Sequence, residues 1–318
     1  MRLLLRLISI AVLSFAAGAF VLVKENPEAD FWAELRARQV ACLTGLREAD
    51  PGQGVLIFTG GSSCAFSVDP EIITAETGMP ACNLGTSAWS GPMYYVHETF
   101  LSARAGDVVV LGIEANFLTE PGLLEPTPLG LALAWNDGDP DAAAGGASFG
   151  EALSLREQAG LLRPGARHLV TWLAKKVAGG EPYYYTMADL RGGGRLETQR
   201  AHPGGNGDPA VHPGSLTPEA RRFLTEVRAL GEKRRVEVVY TLPWYFTAPG
   251  AIAANREARR QLLSEIAEIM PVLDDPSLGV RTESGFFSDT NFHLTAAGSK
   301  ARSVFLGEAI DLWRKGRR

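Results

Sequence analysis

The hydrophobic pattern changes period three times along the chain. It opens on residues 7–23, LISIAVLSFAAGAFVLV, which carry no charge and run into Lys24-Glu25-Asn26-Pro27. As a helix that run spans about 25 Å, and adding residues 3–5 brings it to the roughly 30 Å of a hydrocarbon core if Arg6 snorkels to the headgroups. Two readings compete with a membrane anchor. Ala17-Gly18-Ala19 has the small-residue form of a signal-peptide cleavage site, and a soluble core helix can be equally apolar. Cleavage at that site would leave Phe-Val-Leu-Val on the new terminus, so the sequence favours an uncleaved anchor over residues 1–24. Arg2 and Arg6 precede the span, whereas Lys24 is offset by Glu25, Glu28 and Asp30. The positive-inside bias puts the N-terminus in the cytoplasm and the body outside it, in a periplasm-like compartment.

Residues 28–49 follow a helical period, with Phe31, Leu35, Val40 and Leu43 as core candidates. They read as a stalk helix, 25–50, lifting the body off the membrane. The period then shortens to that of buried strands at 54–59 (GVLIFT), 81–85 (ACNLG), 107–113 (DVVVLGI), 236–241 (VEVVYT) and 272–273. Between them lie helical stretches at 70–77, 93–104 and 252–270, and a final one at 295–313. Asp69-Pro70 is a helix start and Gly78 its stop. Such alternation predicts an α/β protein with three α/β/α layers and a mostly parallel sheet, in one domain over 51–318. Between about 119 and 218 the alternation fails. That Gly-, Pro- and Ala-rich stretch holds two expected helices (149–162 and 167–177), Tyr183-Tyr184-Tyr185 and a long loop with His202 and His212, read as solvated. It predicts a large irregular insert, a lid or binding elaboration, rather than a second domain.

Composition narrows the function. The 318 residues are 46% hydrophobic and 21% charged, which excludes a disordered, collagen-like or coiled-coil chain. Net charge is −5, so there is no general basic footprint for nucleic acid. Mean hydropathy is zero, the average of an apolar anchor and a more polar body. Cys42, Cys64 and Cys82 lack C-x-x-C spacing, which argues against a zinc site or a disulfide framework. No H-E-x-x-H, Walker or strand-linked G-x-G-x-x-G pattern occurs, so neither a metal nor another cofactor is expected.

The candidate chemistry sits at the two ends of the body. Gly60-Gly61-Ser62-Ser63 puts a serine in the turn that leaves an early strand, where small neighbours admit a substrate. Ser288-Asp289-Thr-Asn-Phe-His293 puts an acid and a histidine four positions apart before the last helix. There a carboxylate can orient an imidazole that takes a serine proton.

FTGGSS at 58–63, Asn83-Leu84-Gly85 and SDTNFHLTAAG at 288–298 resemble blocks I, II and V of the SGNH (GDSL-like) hydrolases. The layout is most similar to the membrane-anchored envelope branch related to polysaccharide O-acetylation and D-alanylation proteins. The resemblance frames residues 54–116 and 236–314. It implies a flavodoxin-like sheet, Ser62 as nucleophile with Ser63 as fallback, His293 as general base, Asp289 as its orienting acid and Gly85 as an oxyanion donor. Three departures stand out. Gly61 replaces the family's Asp. Three residues, not two, separate Asp289 from His293, which brings Asn291 into consideration. Gly112-Ile113-Glu114-Ala115 stands where the family has Gly-x-Asn-Asp, leaving Asn116 as the substitute oxyanion donor. An ionised Glu114 would repel a developing oxyanion unless it were protonated or turned away.

The implied activity is a serine-dependent acyl esterase or O-acyltransferase acting on cell-envelope or exported polysaccharide, with a membrane acyl-donor protein as a further partner. Trp89, Tyr94, Tyr95, Tyr183–Tyr185, Trp244 and Tyr245 are the candidate sugar-stacking aromatics. The alternative is a catalytically degenerate SGNH-like domain that binds polysaccharide or scaffolds an envelope assembly.

Overall fold

A computed structural model describes residues 1–146, 183, 185–198, 200 and 207–316, with 157, 160–161, 173–174 and 177–179 in between. Tyr184, His202 and most of both helices expected near 149–177 lie outside the described residues.

Helix α1 (Arg2–Lys24) is long and apolar enough to cross a membrane and is exposed over most of its length. Its last turn is not free. Leu22 and Val23 are buried, Asn136 Nδ2 donates to the Val23 carbonyl at 2.9 Å, and Lys24 Nζ donates to Asn136 Oδ1 at 2.8 Å. Asn26 then caps α2 (Pro27–Ala49) by accepting the Glu28 N–H.

The stalk expected at 25–50 is part of the body instead. Trp32, Leu35 and Leu43 are buried in the main core, while Val40 is only half-buried. Gln39 is buried as well, and its Nε2 donates to the carbonyls of Gly85 and Gly194. A spacer helix has no reason to bury a glutamine with both bonds made.

The sheet is mixed α/β in setting and parallel throughout. Strands β1 (Leu56–Gly60), β2 (Ala81–Asn83), β3 (Val108–Gly112) and β4 (Glu237–Tyr240) lie in the order β2-β1-β3-β4. Register runs Leu56 against Ala81 and Val108, and Val108 against Glu237. The expected strand at 272–273 is reduced to a single parallel bridge from Val272 to Tyr240. Every residue of β1 and β3 is buried, as their unbroken apolar runs require.

Strand alternation sends successive side chains to opposite faces. Ile57, Val109 and Leu111 pack with Phe31 and Leu35 of α2, Tyr95 and Phe100 of α5 (Pro92–Ser102), and other residues of the larger cluster. Leu56, Phe58, Val108 and Val110 pack with Ile73 of α4 (Pro70–Thr77) and with Leu306 and Ile310 of α10 (Ala296–Lys315). Asp69 and Gly78 bound α4 as their sequence positions predict: Asp69 accepts two N–H groups and Gly78 has φ 65°. The short α3 (Ser62–Ser67) follows β1, and α6 (Ala115–Thr119) follows β3. Helix α7 (Pro128–Asn136) receives the end of α1; α8 (Pro218–Arg234) precedes β4. A parallel pair outside the main sheet, β5 (Tyr245–Phe246) with β6 (Val280–Arg281), brackets α9 (Ile252–Ala267).

Candidate active site

A cavity of about 490 Å³ opens at the C-terminal ends of β1 and β3. The chain leaves β1 toward β2 on one side and reaches β3 on the other, so this is the crevice where parallel sheets place their ligand sites.

The structure separates the two serines. Ser62 is half-buried at the first position of α3 and lines the cavity. Ser63 is fully buried, and its Oγ makes no hydrogen bond. Successive helical residues point about 100° apart, so only one of the pair can face the opening. Being first in its helix, the Ser62 N–H has no intrahelical acceptor.

The opposite wall comes from the C-terminal segment. Buried Phe287 and Leu294 form an antiparallel bridge and pack with Trp244 and Phe246, pinning both ends of the loop between them. Within it, Thr290 Oγ1 accepts the N–H groups of Phe292 and His293, and Ser288 N–H donates to the His293 carbonyl. The three-residue spacer thereby folds back, and His293 Nδ1 meets Asp289 Oδ1 at 2.9 Å. Phe66 of α3 stacks on the imidazole, with centroids 4.2 Å apart and planes 18° from parallel. Asn291 points elsewhere: its Nδ2 donates to Asp208 and its carbonyl accepts from Phe246.

Sequence reasoning missed the part Tyr185 plays. Its hydroxyl donates to Asp289 Oδ2 at 2.6 Å and lies 3.1 Å from His293 Nδ1. Arg200 lines the cavity too, its guanidinium 5.8 Å from the Tyr185 ring centre. Both belong to the insert, whose irregular sequence carries no motif to mark them. Burial raises the Asp289 carboxyl, but the bonds and charge of His293 and the Tyr185 hydroxyl outweigh it, and the net pKa is lowered. Asp289 is therefore ionised at neutral pH, and the proton between the pair sits on His293 Nδ1. Nε2 is the nitrogen left for the serine. Among the described residues, Ser62 Oγ makes no hydrogen bond to His293, though both line the cavity. Such bonds are often long without substrate.

The expected oxyanion role of Gly85 does not survive. Its N–H donates to Asn83 Oδ1 at 2.8 Å, its carbonyl accepts from Gln39, and it is not among the cavity-lining residues. A glycine is needed there for space, since a Cβ would lie 2.3 Å from Ala65 N. Asn116 does line the cavity, and its Oδ1 has no hydrogen-bond partner.

Gly61 also has a spatial reason: a Cβ there would lie 2.5 Å from Glu114 Oε1 and 2.8 Å from Ala88 Cα. Trp89, 71% exposed, lines the cavity with Tyr183 and Tyr185. The other described aromatic candidates are buried away from it. Tyr94 is bonded to Asp137, Tyr245 to Asp208 and Trp244 to Asp275, while Tyr95 belongs to the core. His212 is not solvated but bonded to Tyr245 and Glu120.

All three cysteines are free, with Cys64 and Cys82 buried. One cluster, His97, Glu98 and Asp139, brings ligand atoms within 4.8 Å of one another. Glu98 is already paired with Arg36, which supplies the charge a cation would.

No protein-family model matches the chain, and no curated protein matches it. The resemblance to SGNH hydrolases stands on its three motif blocks alone.

Proposed function

We propose that the protein is a serine-dependent acyl esterase or O-acyltransferase of the SGNH type, working on cell-envelope or exported polysaccharide through Ser62, His293 and Asp289. The observation that carries this reading is that Ser62 and a bonded His293–Asp289 pair line one cavity, although they come from opposite ends of the body. The strand order β2-β1-β3-β4 and helices on both faces of the sheet support a three-layer, flavodoxin-like arrangement around it.

In this mechanism Ser62 Oγ adds to the acyl carbonyl while His293 Nε2 takes its proton. The tetrahedral centre collapses, the bond to the leaving alkoxide breaks, and that oxygen leaves with the proton from His293. Water or a sugar hydroxyl then takes the acyl group by the reverse steps. The Ser62 N–H and the Asn116 amide are the donors this reading assigns to the oxyanion, since both residues line the cavity. Helix α1 is the membrane anchor of this scheme, single-pass with its N-terminus cytoplasmic. The acceptor is the polysaccharide, and a membrane protein delivers the acyl donor. The exposed Trp89 on the cavity wall suits a sugar ring better than a small metabolite.

One observation favours a second reading, a domain that binds glycan without catalysis: the absence of a Ser62–His293 hydrogen bond. The two readings separate on rate. Full-length protein in detergent, assayed on an aryl acetate, is expected to lose about 10³-fold or more in kcat when Ser62→Ala or His293→Ala is introduced. Equal rates in all three proteins would leave the binding reading standing.

A further inference from the structure

The cavity holds a second acid that the Ser62–His293–Asp289 line does not use. Glu114 follows β3, is 3% exposed and lines the cavity beside Ser62. Its Oε1 accepts the Ser63 N–H at 3.3 Å. Its Oε2 is buried with no hydrogen-bond partner.

An ionised carboxylate is an acceptor only and wants several donors. Here the Ser63 N–H is the one donor at hydrogen-bond distance, the Ser63 hydroxyl lies near it, and no lysine or arginine is bonded to it among the described residues. The titratable groups around it are His293 and the buried Tyr95, Tyr240 and Cys64. Buried acids in such surroundings neutralise rather than hold a charge. A neutral acid asks for less. Oε1 is the carbonyl oxygen that takes the Ser63 N–H, and Oε2 carries a proton that makes no hydrogen bond among the described residues. Burial raises the Glu114 carboxyl above the ordinary range, with the neighbouring Ser63 hydroxyl and N–H and the charge of His293 opposing it.

We infer that Glu114 is an oxyanion donor: its Oε2–H hydrogen-bonds the acyl carbonyl oxygen of the substrate as Ser62 adds to it. This rests on the esterase or acyltransferase reading and deepens it. Electron density moves from the C=O bond onto that oxygen, is held by the Glu114 O–H and the Asn116 amide, and returns when the leaving alkoxide departs. The Glu114 proton is shared throughout and never leaves, so the balance of the reaction is unchanged. A carboxylic acid kept neutral to donate a hydrogen bond is an established way to bind an oxyanion. The acid that looked incompatible with oxyanion binding becomes one of its donors.

The test compares full-length wild type with S62A, E114Q and E114A on an aryl acetate. The E114Q amide can accept the Ser63 N–H and donate from the same place, so it is expected to keep about a tenth or more of the wild-type kcat. E114A should lose about 10²- to 10³-fold in kcat with little change in KM. An infrared difference spectrum of wild type minus E114Q near neutral pH should contain the carbonyl stretch of a protonated acid, a readout that needs no turnover and no folded E114A. Carboxylate bands in that spectrum, or E114Q as inactive as E114A, would overturn the assignment. S62A turning over at the wild-type rate would overturn the esterase reading itself, and the donor role would fall with it.

Discussion

Residue by residue, two of three carboxyl groups are held low and the third is raised, each for an identifiable reason. Asp289 receives bonds from His293 and Tyr185 and stays ionised. Asp208, bonded by Tyr245, the Ala210 N–H and Asn291, is likewise held low. Glu114 is fully buried, and there burial outweighs the Ser63 hydroxyl and N–H and the charge of His293, so it goes the other way. That direction sets the sign of its effect on stability. The native state binds the Glu114 proton more tightly than the unfolded chain, whose carboxyl titrates near 4.5. From about that pH up to the raised folded value, the wild type loses stability as pH rises, by at most about 1.4 kcal/mol per pH unit. The E114Q variant carries no such proton. Its Tm relative to wild type is therefore expected to climb as pH rises above about 4.5, measured by thermal melts across that range; a gap independent of pH would contradict the neutral acid. That Ser62, His293 and Asp289 line one cavity could be anticipated because each sits in a short local motif. Tyr185, Phe66 and Arg200 could not, because only the folded chain brings Tyr185 and Phe66 to the imidazole and Arg200 to the same cavity.

At the scale of elements, the strands were the most legible part, since β1 and β3 are buried on both faces and must be apolar without interruption. Helix α2 was legible as a helix but not in its place. Phe31, Leu35 and Leu43 mark one apolar face, yet a stripe of that width suits a spacer as well as a packed layer. What settles its position is Trp32 and Gln39, one aromatic and one polar, both buried. Trp32 is 2% exposed in the main core, and its replacement by alanine is expected to cost about 3–5 kcal/mol, read by denaturant unfolding. A change below about 0.5 kcal/mol, the size of an ordinary surface substitution, would return α2 to the role of a stalk. The oxyanion assignment of Gly85 failed for a related reason. Its position after β2 was read correctly, but the Asn83 side chain and Gln39 of α2 take up its backbone groups.

Across the whole molecule, helix α2, the ends of a parallel sheet, the C-terminal loop and an irregular insert meet around one cavity. The sheet supplies Ser62 and Glu114 at adjacent strand ends, the C-terminal loop supplies His293 and Asp289, and the insert supplies Tyr185. Helix α1 ends clamped on α7, so the body is held directly against the foot of the apolar helix rather than on a free tether. The insert is expected where the β–α alternation stops, between about 119 and 218. Its contribution to the site was not legible, because irregular chain has no period from which a buried face can be read. Activation of Ser62 by His293 is the step on which the proposed function turns. Its most direct measurement is covalent labelling of the full-length protein with a fluorophosphonate and peptide mass mapping of the product, because it needs neither the natural donor nor the acceptor. One adduct is expected, on Ser62, and it is lost in H293A. No adduct on Ser62, or equal labelling of wild type and H293A, would contradict it.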